Sequence, residues 1–259
     1  MAARRSSDIL TIPPPPDADA RIRYGDEPLQ FGDLRLPAED GPHPLVVVVH
    51  GGYWQAIYNL NHAGPLCVDL AAHGIATWNV EYRRIGDPGG GYPGTLDDVS
   101  DAFSHVHEIA QRYPIELKAV AAFGHSAGGH LALLASERSR LKLRAVVSAA
   151  GVVDLLATHR RGDDNGLITR LLGGGPDELP DRWRETSPRE QLPLGVHQLL
   201  AVGDADVHFE PNLAYADAAR AAGDVVDIVV FPGAGHFELV DPEAAEWETL
   251  RSRLGQLLA

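Results

Sequence analysis

The 259-residue chain has one cysteine, Cys67, so no intrachain disulfide can form and nothing argues for an oxidising compartment. No stretch reaches the roughly 18 apolar residues a membrane span needs. Arg4 and Arg5 are followed by no apolar run before Pro13, so the core of a signal peptide is missing. Basic residues are scarce: 22 Lys and Arg stand against 36 Asp and Glu, a formal charge of −14. Such a surface repels phosphate backbones and anionic lipid, which argues against nucleic-acid and membrane-surface partners. No fixed-period repeat is present. What is present, 44% hydrophobic and 22% charged residues, is the composition of a globular domain. A soluble, cytoplasmic protein is expected, and Cys67, in the apolar-periodic stretch Leu66–Leu70, reads as a small buried hydrophobe.

Residues 1–20 read as an N-terminal arm, with Pro13 to Pro16 favouring an extended polyproline path. From Arg21 the pattern is strand-like, and Arg21–Tyr24 with Gln30–Leu36 suggests an antiparallel opening. Leu45–Val49 is then a continuous β-branched run, typical of a strand buried on both faces. Further strands are expected at Ile75–Val80, Ala119–Phe123, Ala145–Ala149, His197–Val202 and Val225–Phe231. Between them lie helical patterns over Thr95–Arg112 (Thr95 as N-cap), Ser126–Arg138, Pro211–Ala222 and Pro242–Leu258. This alternation predicts an α/β domain over 21–259, a mostly parallel sheet with helices on both faces. The Gly-, Pro- and charge-rich segment 152–192 breaks the rhythm and reads as a lid-like excursion over the sheet.

The strongest chemical signal is Gly124-His125-Ser126-Ala127-Gly128, placed between a buried strand and a helix-forming segment. A serine on such a sharp turn is exposed in strained geometry, and the amide of Ala127 at the helix start can stabilise an oxyanion. After the Leu45–Val49 strand comes His50-Gly51-Gly52-Tyr53-Trp54, whose exposed amides, Gly52 and Tyr53 foremost, suit the same task. His50 reads as a buried support for this loop. Trp54 and Tyr92 are candidates for the substrate pocket, Trp54 with packing as the equal alternative. The base expected of a serine nucleophile is His236, in the Gly-rich loop after the last strand, with His208 as runner-up. The carboxylate is expected at Asp206, with Asp204 and Asp154 as alternatives.

Metal and phosphate signals are weak. His105 and His107, two apart on a helix, do not share a face, and His125 and His130 do not form a His-Glu-x-x-His pair. Asp97, Asp98 and Asp101 read as a solvated helix start, and the Gly89–Gly94 loop lacks the Lys-Ser/Thr ending of a phosphate cradle. No metal or organic cofactor is expected.

On the motifs His50–Trp54 and Gly124–His130, the chain resembles the α/β-hydrolase superfamily from Arg21 onward. Within it the chain is similar to kynurenine formamidases (arylformamidases) and to bacterial esterases of the hormone-sensitive-lipase type. The resemblance implies that the Gly-x-x-Asp pattern selects Asp206 as the triad acid and that Gly235-His236-Phe237 carries the base. It implies hydrolysis of a small-molecule aryl formamide or short carboxylic ester without a cofactor. The segment Val207–Asn212 departs from the acidic-aromatic stretch ending in Gln-Ser found in formamidases. Two rival classes share the scaffold: an acyltransferase with the same nucleophile, and a non-catalytic ligand-binding protein.

Overall fold

The computed structural model describes residues 6–11 and 14–259; the sequence readings at Arg4, Arg5 and Pro13 lie outside the described residues. Eight strands form one sheet in the order β1-β2-β4-β3-β5-β6-β7-β8. The opening hairpin, β1 (Ala20–Arg23) and β2 (Phe31–Arg35), is antiparallel, and β2 runs antiparallel to β4 (Ala76–Val80). The other strands, β3 (His43–Val49), β5 (Ile115–His125), β6 (Ala145–Ala149), β7 (Gln198–Gly203) and β8 (Val226–Phe231), are all parallel. The sheet is thus mostly parallel with one antiparallel end, the architecture of the α/β-hydrolase fold.

The valine run of β3 shows why both faces must be covered. Val47 and Val49 join one core with Val99 and Phe103 of α2 (Gly94–Arg112) and Leu131 and Leu134 of α3 (Ala127–Arg138). Val46 and Val48 join the opposite core with Leu66, Cys67 and Leu70 of α1 (Gly64–Ala72). A period of two along one strand feeds two hydrophobic layers, so every position is apolar. Cys67 is fully buried there. The C-terminal helix Ala245–Leu258 closes the same layer, and the indole N–H of Trp247 donates to Asp69 Oδ2 at 2.7 Å.

The segment 152–192 folds into three short helices, α4 (Leu155–Arg161), α5 (Leu167–Leu172) and α6 (Pro180–Glu185). They are followed by α7 (Phe209–Ala222) and α8 (Ala245–Leu258). Two local expectations need correction. Thr95 lies inside α2, whose cap position is Pro93; its hydroxyl instead accepts from Gly91 N and donates to Arg83 O, stitching the preceding loop. Asp98 is not solvated: it is fully buried, with Arg83 at 2.6 Å and an amide hydrogen of Gln30 at 2.7 Å. Four donors aimed at one carboxylate, the Arg83 amide, Nε and Nη2 with Gln30 Nε2, explain how a charge persists in the core.

Among the described residues no helix is long and apolar enough to cross a membrane.

Candidate active site

Ser126 stands between β5 and α3 with φ 56° and ψ −120°, a left-handed conformation costly for a side-chain-bearing residue. Close packing enforces it. A Cβ on Gly128 would lie 2.1 Å from Val49 O and 2.6 Å from His50 O, and one on Gly124 would lie 2.2 Å from Gly128 O. Only glycines let the chain double back so tightly between two strands. The Ser126 amide donates to Ala149 O at 2.9 Å, and its carbonyl accepts from Gly129. Ala127, as first residue of α3, offers an amide without an intrahelical acceptor. Among the described residues no protein group hydrogen-bonds the Ser126 hydroxyl, which faces the cavity described below.

Val49 pairs with Gly124 across the sheet, so the loop after β3 starts beside this turn. Gly52, Tyr53 and Trp54 have φ of 111°, 51° and 56° in succession. Neither the Gly52 nor the Tyr53 amide meets an acceptor among the described residues. Side chains hold this strained run. The Trp54 indole is 1% exposed and its N–H donates to His130 Nδ1 at 3.3 Å, while His130 Nε2 donates to Thr186 O at 2.8 Å. His50, wholly buried, sits between two acceptors: Gly51 O lies 2.8 Å from Nδ1 and Glu81 Oε1 3.0 Å from Nε2. Burial alone would raise the Glu81 pKa, but His50, Arg84 at 3.0 Å and the Tyr82 amide outweigh it and hold the carboxylate below its ordinary range. Because a trans peptide points its C=O and N–H opposite ways, the grip on Gly51 O turns the Gly52 N–H away from His50.

On the far side, loops from β7 and β8 bring in the carboxylate and the imidazole. His236 Nδ1 lies 2.6 Å from Asp206 Oδ2, and Oδ1 accepts from the His208 amide at 2.8 Å. Burial tends to raise the Asp206 pKa; the hydrogen bond and charge of His236, with the His208 amide, bring it below the ordinary value. The alternatives have other tasks. Asp204 Oδ1 accepts from Gly233 N and so braces the base loop, while Asp154 caps α4 by accepting from Ala157 N. The His208 imidazole is buried and pushed down to about 4, chiefly by desolvation. Asp206, His208 and His236 bring potential metal-ligand atoms within 4.8 Å, but the 2.6 Å bond leaves no room for an ion between Asp206 and His236.

Ser126 and His236 line a cavity of about 60 Å³ together with Gly52 and Tyr53. Trp54 does not reach it, being turned into the core by its bond to His130. Tyr92 does not line it either: its hydroxyl donates to Glu185 Oε1 at 2.5 Å and Arg182 covers its ring. Four walls went unnoticed in the sequence: Leu10, Tyr58, His62 and Phe237. Phe237, next to His236, was the readable one. His125, the variable residue of the serine motif, also faces the cavity and donates from Nε2 to His236 O at 2.8 Å. Burial first, and the neighbouring His236 second, hold it neutral. A larger cavity of about 490 Å³, between Pro14 and Arg35, has no serine, cysteine or histidine among its described lining residues.

With this geometry in hand, the chain can be compared with known proteins. It is 30% identical over 231 residues to the kynurenine formamidase of Danio rerio, covering 85% of this chain and 75% of that protein. It is 26% identical to esterase LipC of Mycobacterium tuberculosis over 85% of its own length, and spans 60% of LipC. The structure of esterase B from Lactobacillus rhamnosis superposes with a TM-score of 0.82 at 21% identity, covering 98% of this chain and 89% of that one, a likeness of fold. Residues 33–210 match the BD-FAE family, a span that holds Ser126 and Asp206 but ends before His236. The protein belongs to the BD-FAE family and has the α/β-hydrolase fold.

Proposed function

We propose that the protein is a serine hydrolase that cleaves a small-molecule carboxylic ester or aryl formamide through an acyl-enzyme. The observation that carries this reading is the 2.6 Å Asp206–His236 pair facing, across one small cavity, a serine on a strained strand-to-helix turn. The esterase and formamidase names of its relatives point the same way.

In the proposed reaction Ser126 Oγ attacks the acyl carbon while His236 Nε2 takes its proton. Asp206 fixes the tautomer that leaves Nε2 free and stabilises the imidazolium that forms. The oxyanion meets the amides of Ala127, Gly52 and Tyr53, each such donor worth about 3–4 kcal/mol in comparable sites. His236 then gives its proton to the leaving alcohol or amine, the C–O or C–N bond breaks, and the acyl group stays on Ser126. Water, deprotonated by His236, cleaves the acyl-enzyme and releases the acid. The neutral state of His125 matters here, since a second cation beside His236 would oppose its protonation.

The test is a rate comparison of N-formylkynurenine with p-nitrophenyl acetate and butyrate, with Ser126→Ala as the blank. The expected result is turnover that falls by about 10⁴-fold or more in the variant. A kcat/KM for the formamide above those of the esters identifies an arylformamidase, and ester turnover alone a carboxylesterase. Activity retained by Ser126→Ala overturns the reading.

A further inference from the structure

We propose that the N-terminal segment is a wall of the active site and that Leu10 limits the length of the acyl group; this rests on Ser126 being the nucleophile. Residues Ser6–Leu10 form a single 3-10 turn, closed by Thr11, whose amide and hydroxyl both donate to Asp8 O, at 2.9 and 3.0 Å. An isolated turn of this length has little stability of its own. Ile9 supplies the anchor: it is 1% exposed, buried like a core residue. Its neighbour Leu10 is thereby set at the cavity that holds Ser126 and His236.

The chain that follows is pinned to the body at three places. Pro15 packs on Gly64 so closely that a Cβ there would lie 2.2 Å from its Cγ. Pro16 O accepts from Arg35 Nη2 at 2.8 Å, and Asp19 Oδ2 accepts from the Leu36 amide at 2.8 Å. The proline arm therefore has a task that its composition does not announce, which is to carry an apolar side chain to the nucleophile.

Size follows from the volume. The cavity is small, about 60 Å³ against about 490 Å³ for the one beside Pro14, so a lengthening acyl chain soon meets its walls, Leu10 among them. Other walls are held by ring contacts. Rings of His62 and His50 meet edge-on at 5.5 Å, and Phe237 stands against His236 at 5.1 Å. Leu10, carried on a short N-terminal turn, is therefore the wall that a long acyl chain is expected to press on.

The experiment measures kcat/KM for p-nitrophenyl acetate, butyrate and hexanoate with the wild type, Leu10→Ala and Gly64→Ala. The last variant touches no substrate and acts only by lifting Pro15. The wild type is expected to favour acetate, because a single methylene in a tight apolar pocket already discriminates about tenfold or more. Leu10→Ala is expected to raise the hexanoate-to-acetate ratio by about tenfold or more, since several methylenes are at stake, and Gly64→Ala to move it the same way. Leu10→Val carries the test if Leu10→Ala melts below the assay temperature. A wild type that takes hexanoate as well as acetate, or a ratio unchanged in the variants while hydrolysis still depends on Ser126, overturns the proposal and leaves the serine-hydrolase reading standing. Hydrolysis that does not depend on Ser126 overturns both.

Discussion

The two faces of the cavity that offer backbone amides are held by different means. The turn at Ser126 is fixed by backbone against backbone: Gly124 and Gly128 have no room for a β-carbon, and the obstacles are carbonyl groups of β3 and α3. The loop Gly52–Trp54, equally strained in φ, is fixed by side chains with partners remote in sequence: His50 held by the Glu81 carboxylate, and His130 held by the Thr186 carbonyl. A turn locked by sterics is all or nothing, whereas a loop locked by hydrogen bonds can be loosened by degrees. On the proposed reading, the position of Ser126 is thus a property of the fold, and the aim of the Gly52 and Tyr53 amides is open to tuning by residues that do not line the cavity.

The largest effect that tests this contrast is Gly128→Ala. With two carbonyl oxygens within 2.6 Å of the new carbon, no rotamer change relieves the clash, and the loss is expected to be about 3 kcal/mol or more. For a chain of this size that lowers Tm by about 10 °C, readable by thermal melting; a melt like the wild type's would show that sterics do not set the turn. Glu81→Gln comes next. The amide keeps one acceptor, for the Tyr82 N–H, sets an NH2 donor against the Leu60 N–H, and loses its charge against His50 and Arg84. The aim of the Gly52 amide is expected to relax, with kcat falling about 10- to 100-fold, short of the loss from deleting a donor outright. KM should change little, because the oxyanion exists only after attack. Steady-state kinetics check this, and a fall in KM-dependent terms alone would move the role of Glu81 from the oxyanion loop to substrate binding.

The same contrast explains what could be read without coordinates. Elements whose cause is local were legible: the valine run of β3, the Ser126 motif between strand and helix, and the loops that bring Asp206 and His236 into contact. The start of β5 was not, because Glu116, Leu117 and Lys118 do not look like a strand buried on both faces. Nor was the direction of Trp54, which depends on His130 of α3, 76 residues further on. Leu10 was beyond reach for the same reason: its place at the cavity depends on where Ile9 is buried and on Gly64 leaving space for Pro15. Asp98 looked like one member of a solvated acidic helix start, and only the path of Arg83 and Gln30 makes it a buried ion pair.

Per group and per pH unit the smallest effect comes from acid, and it separates the two faces by charge. His130 is held neutral in the fold, its pKa pushed down to about 4 by burial, against about 6.5 in an unfolded chain. As pH falls below about 6.5 the unfolded chain takes up this proton first, so stability is full above that value and declines down to about 4, where the folded protein protonates too. One such group contributes a slope of about 1.4 kcal/mol per pH unit. His208, also held at about 4, adds to the decline over the same window, and His62, at about 3, extends it. Asp206, whose pKa is depressed, adds its loss only at lower pH, below the ordinary carboxylate value of about 3.9. Protonation of His130 at Nδ1 removes the acceptor of the Trp54 indole N–H, so the loop loses its support, whereas the glycine contacts at Ser126 carry no proton. Melting His130→Phe beside the wild type between pH 7.5 and 4.5 should therefore show a lower Tm for the variant at pH 7.5, from the orphaned Trp54 and Thr186 groups, and a shallower decline towards acid. Parallel curves would place the acid sensitivity in His208 and His62 and leave the Trp54 contact without a part in it.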